Sequence, residues 1–198
     1  MALDKHKQKQ NRQQKMTREM TLEMKAVEEN SRKVRVSFSS EAPYVRWFGP
    51  EILDHRAECV DLSRLNEIGV VLFNHDRDKV IGRIERAWLE NNRGEAEVVF
   101  DEDEKSDEIF KKVQSGTLKT TSVGYAVTEW EDVPEGKKSA DQRFAGPCSI
   151  AKKWMPYEIS IVSVPADAGV GVGRSDEDEE AHELSRYQSQ IDINKNFI

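Results

Sequence analysis

From Val34 onward the chain alternates apolar and polar residues. In "VRVSFSS" the side chains of Val34, Val36 and Phe38 share one face, the period-two pattern of a half-buried strand. "YVRWF" follows and ends at a Gly-Pro turn, Gly49 and Pro50, and "GVVLF" runs to an abrupt polar stop at Asn74 and His75. "KVIGRIERAWL" and "EAEVVFD" flank Asn91, Asn92 and Gly94, so Lys79 to Leu89 and Glu95 to Asp101 are predicted to form an antiparallel hairpin. In "KSDEIFKKVQSGTL" the period changes, and Ile109, Phe110 and Val113 form the apolar stripe of a helix. Ser106 is its expected N-cap and Gly116 its expected C-cap, with Asp107 and Glu108 suited to the positive end of the dipole. "TTSVGYAV" and "YEISIVSV", the latter closed by Pro165, add two strands around a polar insertion from Glu129 to Lys153 that reads as a surface loop. Many antiparallel strands beside one well-signalled helix predict a mainly β fold with flanking helices, α+β in class, whose sheet curves strongly or closes into a barrel.

The two ends depart from this pattern. Residues 1–33 are rich in Lys, Gln, Glu and Met and hold no aromatic residue, so they read as a charged arm, helix-prone or disordered. After Gly173 the chain carries an acidic block, Asp176 to Glu180, and residues 174–198 read as a flexible tail. The globular domain is therefore expected over residues 34–173.

A net charge of -7 with 34% charged residues argues against a nucleic-acid partner, which needs a basic face. The first twenty residues have no apolar core of a signal peptide, and no run approaches the roughly 18 residues of a membrane span. Cys59 and Cys148, the only cysteines, are far apart and in no metal-type spacing, which points to neither disulfide nor zinc and to an intracellular setting.

Three positions carry candidate chemistry. On "KTTSVGYAV" the bulky Val123, Tyr125 and Val127 share one face, while Thr120, Ser122, Gly124 and Ala126 leave the other small. A small face beside a serine admits a closely approaching substrate backbone, and it equally suits an edge strand or a tightly packed second sheet. On "YEISIVSV" Ile159 and Ile161 point one way and Glu158, Ser160 and Val162 the other, so Glu158 needs a partner or solvent. His75, where the apolar run stops, suits a general base, a metal ligand or a strand cap. The metal reading lacks ligands, because Asp76 and Asp78 are its only near neighbours and His55, His6 and His182 are remote in sequence.

Taken in order, "VLFNHD", "IGRIERAWLE", "GEAEVVFD", "VQSGTLKTTSVGYAV" and "EISIVSVPADAGV" resemble the prohead serine proteases of tailed bacteriophages, a family related in fold to the herpesvirus assemblin proteases. The resemblance spans Val34 to about Gly173, and its sharpest elements are "NHD", "SGTLKTTSVGY" and "EISIVSVPAD". It implies a closed or nearly closed β-barrel, antiparallel-rich, with Ser122 as nucleophile, His75 as general base and Glu158 as the acid that orients the ring. Asp76, Glu97 and Asp101 compete for the third place, and the glycines of "AGVGVG" or the turn near Pro165 are candidate oxyanion donors.

The same resemblance implies a serine endopeptidase, phage- or prophage-encoded, that needs no cofactor or metal and works in the host cytoplasm inside an assembling prohead. Its implied partners are the major capsid protein and a separate scaffold protein as substrates, with no nucleic acid and no membrane. A homo-oligomer and self-cleavage are left open, and the basic arm is a candidate docking segment that is clipped on activation. A non-catalytic assembly or scaffolding module on the same barrel is the competing reading.

Overall fold

The alternating segments pair into one ten-stranded sheet. The computed structural model describes residues 16–21, 25–26 and 31–164. Its strands are β1 (Met16–Thr21), β2 (Lys25–Ala26), β3 (Lys33–Ser40), β4 (Tyr44–Arg46), β5 (Gly49–Leu53), β6 (Val70–Phe73), β7 (Asp76–Glu90), β8 (Arg93–Phe100), β9 (Thr120–Val133) and β10 (Cys148–Val162). They lie in the order β1-β9-β10-β6-β7-β8-β3-β2, and β5 joins β10 and β4. Every pair is antiparallel except β10 with β5 and β10 with β6.

The expected hairpin is β7 with β8. Asn91 and Asn92 adopt φ values of 51° and 58°, the two left-handed positions of a tight hairpin turn whose twist matches the strands. Gly-Pro does not form the other turn expected from the pattern: the chain reverses at Trp47 and Phe48, and Gly49 and Pro50 already belong to β5. There Pro50 sits opposite Val45 of the short strand β4.

Among the described residues, two helices flank the sheet. Helix α1 (Ser63–Ile68) buries Leu65, and α2 (Glu104–Gln114) buries Ile109, Phe110 and Val113 as its stripe requires. Phe110 meets Phe100 of β8 at a centroid distance of 5.2 Å. The N-cap of α2 is Asp103 rather than Ser106, because the Asp103 carboxylate accepts from the N–H groups of both Lys105 and Ser106. At the other end Gly116, at φ 72°, donates to Val113 and Thr117 donates to Lys112, which closes the helix as the glycine predicts.

The sheet curls strongly, and it is not a closed barrel. Thr121 Oγ1 on β9 donates to the Ser37 carbonyl on β3 at 2.9 Å, so the two strands approach. Among the described residues no ladder joins them, since the free edge of β9 is taken by β1 and that of β3 by β2. This corrects the barrel expected from the sequence. It also alters the N-terminal arm: Met16–Thr21 is extended rather than helical, because the exposed main chain of β9 offers hydrogen bonds that outweigh a weak helix propensity. Residues 1–15 of that arm and the expected tail over 174–198 lie outside the described residues.

The insertion expected as a loop over 129–153 is strand for much of its length, leaving a connection only between Val133 and Cys148. A charge cluster ties it down. Asp54, 0% exposed, accepts from Arg56, from Arg143 at 2.9 Å and from Lys152 at 2.9 Å, while Arg143 also reaches Glu41. Burial raises the Asp54 carboxyl pKa, but the hydrogen bonds from Arg56, Lys152 and Arg143 outweigh it and hold the group far below the ordinary carboxylate range. A carboxyl depressed on folding contributes stability that is complete above its unfolded pKa of about 3.9 and is lost as pH falls from there through the folded value. Asp54→Asn is therefore expected to cost about 3 kcal/mol at pH 7 by urea unfolding, with the gap from wild type narrowing below about pH 4.

Candidate active site

β6 and β7 are joined by a two-residue turn. Asn74 and His75 hold φ values of 55° and 60° between the paired residues Phe73 and Asp76. A left-handed backbone suits Asn, but at His it stores on the order of 1 kcal/mol. Contacts with β10 maintain it. Asn74 N–H donates to the Ile161 carbonyl at 2.9 Å, Ser163 N–H donates to Asn74 Oδ1 at 2.9 Å, and His75 N–H donates to Ser160 Oγ at 3.2 Å. The turn is thus stapled to the strand that carries Glu158.

The register of β9 on β10 supplies the remaining groups. Ser122 stands opposite Ser160 and Gly124 opposite Glu158, after a bulge between Pro156 and Glu158. The Glu158 side chain crosses over Gly124, where a Cβ would come within 2.6 Å of Glu158 Cγ and 2.7 Å of its Oε1. The small face of β9 is therefore filled by a carboxylate of the protein itself rather than left open for a substrate backbone. Val123, Tyr125 and Val127, on the opposite face, are core residues.

His75 lies between the two strands' side chains. Its Nδ1 bonds to Glu158 Oε1, and its Nε2 is 2.8 Å from Ser122 Oγ. An ionised carboxylate only accepts, so Nδ1 carries the proton and the Nε2 lone pair faces the hydroxyl. Ser122 is 0% exposed, Glu158 is 8% exposed, and the ring is more open than either. The Ser122 hydroxyl also lies 3.2 Å from the carbonyl oxygen of Arg18 on β1. A hydroxyl, an imidazole and a carboxylate in this sequence can pass a proton off the serine as it attacks a carbonyl carbon.

Among the hydrogen bonds of the described residues, none joins a competing acid to the His75 ring. Asp76 pairs with Lys79 at 3.0 Å and accepts from the Asp78 N–H, Glu97 lies on β8 in register with Arg35 and Arg86, and Asp101 follows β8 with its N–H on Ile81. His55 forms a second serine–histidine pair with Ser39 at 2.7 Å, but its Nδ1 donates to the Leu53 carbonyl and burial pushes the ring down to about 4. Without a carboxylate on Nδ1, that pair does not repeat the arrangement around His75. The glycines of residues 168–173 and the turn at Pro165 lie outside the described residues.

Sequence reasoning did not single out Asn74, Ser160 or Ser163. An Asn at the start of a two-residue gap between apolar strands was the available signal for the first. An open cleft of about 370 Å³ adjoins Glu158, lined in part by Leu72, Val80, Met155 and Tyr157 with Arg64 and Arg77.

A family model described as caudovirus prohead serine protease matches residues 38–184. A curated relative named major capsid protein, from Halomonas phage phiHAP-1, is 38% identical over 144 residues. That match covers 71% of this chain but only 23% of the relative, so the chain spans less than a quarter of that protein's length. Among solved structures, the bacteriophage T4 capsid assembly protease aligns with a TM-score of 0.47 at 11% identity, covering 77% of this chain and 96% of that one.

The contact of Gly124 with Glu158 can be tested without an assay of activity. Gly124→Ala is expected to displace the carboxylate and to cost about 1–3 kcal/mol. A downfield proton resonance of the His75 Nδ1–H is expected in wild type and should be lost in the variant.

Proposed function

Because the chain belongs to the caudovirus prohead serine protease family, we propose that it is a serine endopeptidase of phage capsid assembly in which Ser122, His75 and Glu158 act together. The observation that carries this reading is the bond from Ser122 to a ring whose other nitrogen holds Glu158. Ser122 Oγ attacks the substrate carbonyl carbon while His75 Nε2 takes its proton. Glu158 keeps the ring in the required tautomer and balances the imidazolium charge. His75 then protonates the leaving amine, and water, activated by the same ring, hydrolyses the acyl ester.

The proposed substrates are the major capsid protein and a scaffold protein, met inside the assembling shell in the host cytoplasm. The phage relative supports the first: its matching segment is part of a longer polypeptide that bears the name major capsid protein. Confinement with the substrate raises its effective concentration, so modest intrinsic activity suffices. The domain assignment proposed with this reading is an arm over residues 1–33, the protease over 34–173 and a tail over 174–198.

Co-expression of the full chain with its capsid and scaffold proteins tests the reading. Wild type should process them and react covalently at Ser122 with a fluorophosphonate probe. Ser122→Ala and His75→Ala should lower the cleavage rate by about 10⁴-fold or more, and Glu158→Gln by about 100-fold or more. Processing that persists in Ser122→Ala would reject the assignment and favour a non-catalytic assembly module.

A further inference from the structure

A row of paired residues leads across the sheet away from Ser122. Ser122 stands beside Ser160, Ser160 beside Leu72 of β6, and Leu72 beside Val80 of β7. Neighbouring strands lie about 4.8 Å apart, so Leu72 is about 10 Å from Ser122, the span of about three residues of an extended peptide. Leu72 and Val80 are in the wall of the open cleft of about 370 Å³. Its floor includes Ala126, which pairs with Met155 and is the next small residue on β9 after Gly124, the position that Glu158 closes.

Two features set this cleft apart from an ordinary surface. Val80 is 45% exposed and Val70 37% exposed, so apolar side chains are left open to water along one groove beside the reactive groups. Such a groove is where a ligand gains most from burial. Arg64 on α1 and Arg77 on β7 border the same groove, both exposed, and among the described residues neither enters an ion pair. The acid in the wall is Glu158, whose Oε1 is taken by the His75 ring, and nearby Asp76 is paired with Lys79. In a chain whose net charge is -7, two unpaired cations beside an apolar floor favour a partner that brings a carboxylate next to an apolar side chain.

We propose that this cleft is a substrate subsite in which an apolar side chain lies over Leu72, Val80 and Met155 while Arg64 and Arg77 hold a carboxylate on an adjoining residue of the same peptide. It deepens the protease reading, resting on Ser122 as the nucleophile, and names part of its substrate class. The spacing of the strands puts the bound side chain about three residues from the attacked carbonyl. The arginines draw an acidic stretch of capsid or scaffold chain to the site, a contribution that salt screens, whereas the apolar contact persists in salt.

The test uses the full chain and quenched-fluorescence peptides built on a bond that it cuts in its capsid or scaffold protein. Leu-Glu, Leu-Lys or Ala-Glu is placed in turn at each pair of positions within about four residues of the cut. Where the pair meets the cleft, kcat/KM for Leu-Glu should exceed that for Leu-Lys and for Ala-Glu by about tenfold at low salt. About 0.5 M NaCl should remove most of the first preference and little of the second. Arg64→Glu combined with Arg77→Glu should invert the charge preference, and Val80→Asp should reduce the preference for Leu over Ala at least about fivefold. Each is a ratio within one variant, so a general change in the reactivity of Ser122 cancels. Ser122→Ala should also bind a labelled Leu-Glu peptide more tightly than its Leu-Lys counterpart by fluorescence anisotropy. Hydrolysis with no charge preference, or with one that persists in the double variant, would overturn the subsite and leave the protease reading intact. No labelling of Ser122 by the fluorophosphonate and no hydrolysis, with the order of affinity retained, would overturn the protease reading and leave the cleft as the peptide site of a non-catalytic module. Loss of that order as well would overturn both.

Discussion

The long ladder between β9 and β10 is the constraint on which the site depends. It runs from Cys148 opposite Val133 to Val162 opposite Thr120, with Ser122 and Glu158 on its two strands two residue pairs apart. Strand side chains alternate between faces, so a slip of one residue would turn either group into the core and bring Val123 or Ile159 out. Val123, Tyr125, Ile159 and Ile161 are all buried on the inner face, and their burial makes such a slip costly. The hydrophobic core thus sets the outward register of the polar groups. The bulge before Glu158 and the missing side chain at Gly124 finish the adjustment.

His75 comes from a different place, the turn between β6 and β7, and its position is held in another way. β6 runs parallel to β10 with Ile161 opposite Phe73, which brings the turn to the end of the strand that bears Glu158. Asn74 and the His75 N–H then fasten it to Ser163, Ile161 and Ser160. A strained backbone at His75 is maintained by these bonds rather than by its own preference, a common arrangement where a side chain must be aimed at a fixed point. The ring's two nitrogens are both engaged as a result.

The curl of the sheet decides what reaches Ser122. In a closed barrel β9 would have two permanent neighbours and no edge. Here its outer edge is taken by β1, a segment from the start of the chain, and β3 is covered likewise by β2. The neighbour beside Ser122 is therefore a strand that belongs to no hairpin with β9, and its Arg18 side chain is buried on the inner face. At the opposite end of β10 the Asp54 cluster fastens the connection between β9 and β10 to the segment after β5, which steadies the far end of the same ladder.

The sequence by itself determined the local elements: alternation marked β3 and the β7–β8 hairpin, the Ile109, Phe110 and Val113 stripe marked α2, and Gly116 marked its end. Strand parity also separated the packed face of β9 from the face of Ser122 and Gly124, and assigned Glu158 to the side of β10 away from Ile159. Those features rest on periodicity, which neighbours in the chain carry. Helix α1 escaped because six residues with Leu65 as their buried side chain make no period. Only the tertiary structure decided that the acid on the His75 ring is Glu158 and not its neighbour Asp76, since a contact 83 positions apart depends on pairing across strands. It also decided that the sheet stays open and that Met16–Thr21 is a strand, because an edge draws on whichever main chain can satisfy it, and nothing local to that segment announces the edge.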